Sequence, residues 1–263
     1  MEKKVIRIIE ELKSRDIKVV RSALKRAEKL AYSGYYSDEL TEALTSLFFK
    51  DVYEYPDWRE NVENAADIIG KFGKRSISSL LSLMEKSDAK AAFYFALSIG
   101  NIGIASLDPV IQKLLRAQSD YLQALLIFSL GKIKDREIRR AIPDILPYLN
   151  HSDSEVKDSA ARTLGKIFEN ITPSDISEQE TLLVFEKLLH LLEDSSSKVR
   201  AKALHSIGKQ LHGGFLPNDV ITHLEKEVKR ILGRDNIHDW DDAYIVRREA
   251  QELLPLIDNY IKK

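Results

Sequence analysis

The chain has 263 residues and a formal charge of −1; 44% are hydrophobic and 31% charged, with 11 Gly, 7 Pro and no Cys. That is enough apolar content for an extensive core, and too little Gly and Pro for a disordered or collagen-like chain. Near-zero charge gives no bulk attraction to nucleic acid or anionic lipid, and the missing cysteines exclude disulfides, thiol catalysis and thiolate metal sites.

The first twelve residues alternate charged and apolar side chains without a continuous apolar run, which argues against a signal peptide. No stretch approaches eighteen apolar residues, so no membrane span is expected. The cysteine-free composition suits a reducing, cytoplasmic setting.

In chain order, apolar residues at helical spacing predict first helices over 5–12, 38–49, 77–84, 110–115, 142–149, 182–192 and 220–232. A second helix is expected after each, marked by an aliphatic residue, Gly and usually Lys. The copies are Ile69-Gly70-Lys71, Ile99-Gly100-Asn101, Leu130-Gly131-Lys132, Leu164-Gly165-Lys166 and Ile207-Gly208-Lys209. Their glycines lie 30, 31, 34 and 43 residues apart, the mark of a repeat array. Flanking copies from Val19 and Val246 carry Glu28 and Pro255 at the Gly position, which makes seven.

Within the phrase, Val156, Ala160, Leu164 and Ile167 fall on one helical face. Asp16, Asp153 and Ser196 stand where an N-cap belongs. Pro109, Pro143 and Pro217 fall at or near helix starts, whereas Pro147 lies inside a first helix and should kink it. The small Ala and Gly residues are expected to let neighbouring helix backbones approach closely. No run alternates with period two, so no sheet is expected.

Seven such units resemble HEAT repeats over nearly the whole chain. The resemblance rests on Val156, Lys157, Ala160, Leu164 and Gly165, on Val199, Arg200, Ala203 and Gly208, and on Ile142-Pro143…Leu146…Leu149. Part of it is similar to the short HEAT-like units of phycobilin-lyase-type proteins. It implies an all-α fold of the armadillo type: a right-handed α-solenoid of about seven antiparallel helical hairpins, one repeat domain over 1–263, with second helices lining a concave face. Inserts at 32–37, 51–58, 169–178, 212–217 and 233–243 should project as loops.

The residue after the Gly position is Lys29, Lys71, Asn101, Lys132, Lys166, Lys209 or Leu256. This row reads either as a track for phosphates or as lysines serving helix C-termini. A second basic group gathers on the last three second helices: Lys157, Arg162, Lys166, Arg200, His205, Lys209, Arg247 and Arg248. Free, it would bind an acidic peptide or phosphorylated ligand; in HEAT proteins the position of Lys157, Arg200 and Arg247 commonly forms Asp–Arg ladders between repeats. Trp240, in the acidic insert 235–242, is either packed on the preceding pair or an interface anchor. Phe93, Tyr94 and Phe95 cannot all face the core; Phe95 takes the small position, and Phe93 or Tyr94 is a candidate apolar contact.

Enzyme signatures are missing. None of the six histidines precedes Glu, no His pair has i, i+4 spacing, and neither a Gly-x-Ser-x-Gly elbow nor a phosphate loop occurs. The insert after Asp235 departs from the EF-hand pattern at Ile237, Trp240 and Val246. No catalytic residue, metal or cofactor is therefore expected. The expected function is a non-catalytic protein–protein interaction module or scaffold, with an inhibitor or immunity-type protein as one specific version. The expected partner is another protein with an acidic surface; nucleic acid and membrane are not expected, and the oligomeric state stays open. The alternative is a factor similar to HEAT-like alkylbase DNA glycosylases, or a bilin-lyase-like one.

Overall fold

A computed structural model describes residues 2–261. Helices α1 (Glu2–Leu12) and α2 (Ile17–Tyr32) form the first hairpin, α3 (Asp38–Thr45) and α4 (Arg59–Gly70) the second, and α5 (Ile77–Lys86) and α6 (Ala89–Asn101) the third. Helices α7 (Leu107–Leu114) and α8 (Asp120–Leu130) follow, and α9 (Ile142–Ile145) packs with α10 (Ser154–Asn170) in a further hairpin. Then come α11 (Glu178–His190) with α12 (Ser197–His212), and α13 (Asn218–Ile231) with α14 (Tyr244–Ile261). Among the described residues there is no strand, so the chain is all-α, an α-solenoid architecture of helical hairpins. No single helix among them is long and apolar enough to cross a membrane.

The fold divides into two compact units. One runs to Ala117 and adds Phe128–Ile133; the other takes Gln118–Ile127 and the chain from Lys134 onward. In the first unit α2, α4 and α6 pack in a row, burying Ala23, Leu24 and Ala27, then Ala65, Ala66 and Ile69, then Ala92, Phe95 and Ile99. In the second, α10, α12 and α14 form the row, with α11 against α12 and α13 against α14. Val156, Ala160, Leu164 and Ile167 are fully buried there, as the periodicity requires.

Small residues set the helix spacing. A Cβ on Gly70 would lie 2.7 Å from the Asn101 Cβ, and one on Gly165 would lie 2.6 Å from the Ser206 Oγ. Side chains that do stand at such contacts serve the neighbouring backbone. The Thr163 hydroxyl donates to the Ile127 carbonyl at 2.9 Å, and the Ser206 hydroxyl, one repeat later in the same register, donates to the Ala161 carbonyl at 2.8 Å.

Two local expectations need adjusting. Asp16 and Asp153 cap α2 and α10 by accepting first-turn amides, but Ser196 makes no side-chain cap to α12. Its own N–H instead donates to the Asp194 carboxylate at 2.8 Å. Pro147 does more than bend its helix: α9 lasts one turn and gives way to a 3₁₀ turn over Leu146–Asn150, with Pro147 in its first turn.

The contact at Gly165 makes a testable contrast with Gly208, where an added Cβ meets only the Leu253 Cδ1 at 3.5 Å. Gly165→Ala should lower stability by about 1–3 kcal/mol through overpacking. Gly208→Ala should be neutral or gain up to about 1 kcal/mol of helix propensity. Urea unfolding of the two variants checks this; equal losses would mean that helix approach is not what the glycines provide.

Candidate functional site

Most charged residues of the second-unit row have internal partners. Lys157 pairs with Asp194, both nearly buried. One repeat on, the Arg200 guanidinium holds both oxygens of Asp241, at 2.7 and 2.8 Å, and donates to the Asp194 carbonyl at 2.8 Å. One repeat further, Arg247 donates to the carbonyls of Asp241 and Asp242 at 2.5 and 2.9 Å. These three residues occupy one register position, so the structure places them in a ladder that ties each repeat to its surrounding loops. Burial alone would push the Asp241 carboxyl up, but the bonds from Arg200 and the Ala243 N–H outweigh it and hold the group below its usual range.

The remaining basic candidates lie further along the helices and are more exposed. Arg162 has one long contact, 3.4 Å to the buried Asp158, whose other oxygen has no hydrogen-bond partner. Lys166 and Lys209 share Glu169; burial would raise that carboxyl, and the two lysines bring it net down. His205 and Arg248 share Glu249, at 3.1 and 2.9 Å. A cleft of about 220 Å³ opens between α12 and α14, with Leu204, Gly208 and Leu253 along it and His205, Lys209 and Glu249 at its polar side.

Lys202 stands apart from this pairing and escaped the sequence reading. It is half-buried on α12 and has neither a hydrogen bond nor an ion pair among the described residues. Burial first, then the Arg162 charge, lowers its pKa. Its repeat-register equivalents are Ser159 and Glu249, so no row of like residues marked it. Lys198, one turn earlier, pairs with Glu155 at 2.5 Å and lies 4.0 Å from Asp158.

The lysine row is likewise partnered in part. Lys71 pairs with Glu28 at 3.2 Å, and Asn101 donates to Asp67 at 2.7 Å. Lys132 lies over the Phe128 ring. Of the aromatic candidates, Tyr94 is only 7% exposed and stacks near Phe48, so it belongs to the core. Its neighbour Phe93 is the exposed ring, at 42%, and packs 5.1 Å from Phe128. The helical turn that buries Phe95 rotates Phe93 outward and leaves Tyr94 over the preceding hairpin. Trp240 is not packed into a pair: it is 67% exposed, with the Arg247 guanidinium 5.2 Å from its ring. Among the described residues no three His, Asp or Glu side chains are grouped so as to hold a metal ion.

Comparison with known proteins agrees with this architecture. Residues 107–178 match the family model for HEAT repeats. No curated protein matches the chain by sequence. Among solved structures, Kap121p aligns over 99% of this chain and 30% of its own length, at 16% identity and a TM-score of 0.69. The CpcE–CpcF complex of phycocyanin lyase from Nostoc sp. PCC7120 aligns over 68% of this chain and 98% of its own, at 17% identity and a TM-score of 0.55. At such identities the likeness is one of fold.

The ladder predicts unequal mutational costs. Arg200→Ala strips its partner from Asp241, a carboxylate only 12% exposed, and should cost about 2–4 kcal/mol. Lys166→Ala removes an exposed i, i+3 pair and should cost less than about 0.5 kcal/mol. Chemical denaturation measures both. The depressed Asp241 group also contributes stability that is complete above the unfolded carboxylate pKa of about 3.9 and is lost as pH falls through its lower folded value. Acid titration of stability in the wild type should show that loss, and in Arg200→Ala it should disappear.

Proposed function

We propose that this chain, whose residues 107–178 match the HEAT-repeat model, works as a non-catalytic protein-interaction module that holds an acidic segment of a partner along α10, α12 and α14. The observation that carries this reading is Lys202. A half-buried cation with no direct ion pair, offset only at a distance by Asp158 and Glu249, is costly to hold, and a carboxylate arriving from outside would relieve that cost. Arg162 is a charged neighbour of Lys202, Arg248 pairs with Glu249 on α14, and both, about half exposed, retain unused donors. Lys157, Arg200 and Arg247 are better assigned to holding the fold than to the partner, since each is already committed to groups of its own chain.

The exposed Phe93, backed by Phe128, supports an apolar contact in the first unit. Binding by shape and charge needs no reacting group, which suits an inhibitor or immunity-type role as well as a scaffold. The nucleic-acid and bilin readings draw no support from a basic group that is largely paired within the chain.

The test is a tagged pull-down from native lysate with the wild type and an Arg162→Glu, Lys202→Glu variant whose helicity is confirmed by circular dichroism. A stoichiometric protein captured by the wild type and lost from the variant is the expected result. Co-purification of nucleic acid or pigment, or capture indifferent to the variant, would overturn the reading.

A further inference from the structure

The loop between α13 and α14 displays large apolar side chains and is held in place by several hydrogen bonds. Ile237 is 82% exposed and Trp240 67%, and Tyr244, the first residue of α14, is 67% exposed beside them in sequence. Exposed side chains of that size cost solvation, and a floppy loop would let them fold back. Here the backbone prevents it. Gly233 takes a φ of +62°, and a Cβ there would meet the Trp240 nitrogen at 3.0 Å. The Asp241 N–H donates to the Ile231 carbonyl at the end of α13, at 2.9 Å. Asp235 accepts the N–H groups of His238 and Ile237, at 3.0 and 3.1 Å, and contacts the His238 ring at 2.7 Å. These bonds, the His238 N–H first, hold its carboxyl down to about 2. Beneath the loop, Arg200 fixes the Asp241 side chain, and Arg247 fixes two carbonyls while backing the indole.

Acidic residues outnumber basic ones along this loop. Four aspartates and one arginine lie between Arg234 and Ala243. Arg200 and Arg247 are engaged with the loop itself, Arg200 with the Asp241 carboxylate and, at 3.5 Å, with Asp242, and Arg247 with two carbonyls and the Trp240 ring. Asp239 is exposed and unpaired among the described residues, and the Asp242 side chain, 97% exposed, has a single long contact, 3.5 Å, from Arg200.

Resting on the interaction reading above, we propose that this loop is a second, pre-formed docking element whose occupant is a basic segment of a protein partner. Its aliphatic side chains cover Ile237 and Trp240, and its Lys or Arg side chains pair with Asp239 and Asp242. Rigid aromatic anchors lose little conformational entropy on binding, so most of their apolar contact is kept as affinity. The acidic rim selects the sign of the partner and speeds its arrival. It equally disfavours an anionic lipid surface.

The protein's two tryptophans are Trp58 and Trp240, so the indole N–H signals in a ¹⁵N spectrum report on each separately. The probes are three ten-residue peptides alternating Leu with Arg, Glu or Ser, titrated into the full chain. The Arg–Leu peptide should shift the Trp240 indole signal and spare that of Trp58. Asp239→Lys with Asp242→Lys should weaken binding at least tenfold, and so should Ile237→Ser. Both changes lie on an exposed loop surface, and retained chemical shifts in α12 would show that the fold is intact. An Arg–Leu peptide that leaves Trp240 unmoved, equal binding of the Glu–Leu peptide, or insensitivity to both variants would overturn the proposal. Lys202→Glu separates the two surfaces: it should leave the Trp240 response unchanged whether or not the α10–α12–α14 row binds an acidic partner.

Discussion

Close approach of successive second helices is the constraint on which the rest depends. Where Gly165 meets Ser206 there is no room for one more carbon, and the neighbouring hydroxyls of Thr163 and Ser206 reach across to backbone carbonyls instead of to water. Such bonds satisfy buried groups and also fix the helix register, because a hydroxyl one turn out of place would be left unpaired. With register fixed, side chains at one position of the repeat recur at one level. Lys157, Arg200 and Arg247 can therefore form a ladder rather than three unrelated contacts.

The ladder accounts for much of the chain's electrostatic character. A protein with 40 basic and 41 acidic residues is neutral on paper, yet neutrality could arise from separated patches or from local pairing. In the second-unit row it arises chiefly from pairing, and the pairs differ in depth. Lys157–Asp194 and Arg200–Asp241 are nearly buried, so breaking either leaves a charge in a poor solvent; Lys166–Glu169 is exposed and contributes little. On the interaction reading proposed above, recognition would rest on the side chains this arrangement leaves over: Lys202, Arg162 and the Trp240 ring of the loop before α14.

Most of the fold was legible from the sequence because a repeat states its pattern several times. Val156, Ala160, Leu164 and Ile167 mark a buried face, and the same spacing around Gly100 or Gly208 confirms it. The site was less legible for the same reason. Register reasoning picks out residues that recur, and recurrence here signals the ladder; it passes over Lys202 because its equivalents, Ser159 and Glu249, are different. Tyr94 failed for a related cause. Three adjacent aromatics show that one must face outward, but which one depends on the rotation of α6 against its neighbours, and a turn of one residue separates Tyr94 at 7% from Phe93 at 42% exposure. Ser196 had the right residue type for a cap, and the nearby Asp194 carboxylate took its amide.

The loop before α14 joins these two levels. Asp241 is at once the partner that completes the Arg200 rung and a residue of the segment that presents Trp240. Its N–H anchors to α13, its carboxylate to α12, and its carbonyl to Arg247 on α14. One residue thus binds three helices, and the exposed indole beside it inherits their rigidity. A substitution at Arg200 would then act twice, lowering stability and loosening an anchor that Arg200 never touches. This coupling explains how a repeat scaffold can vary an insert for recognition without losing order in it: the insert borrows a ladder position that the fold already requires.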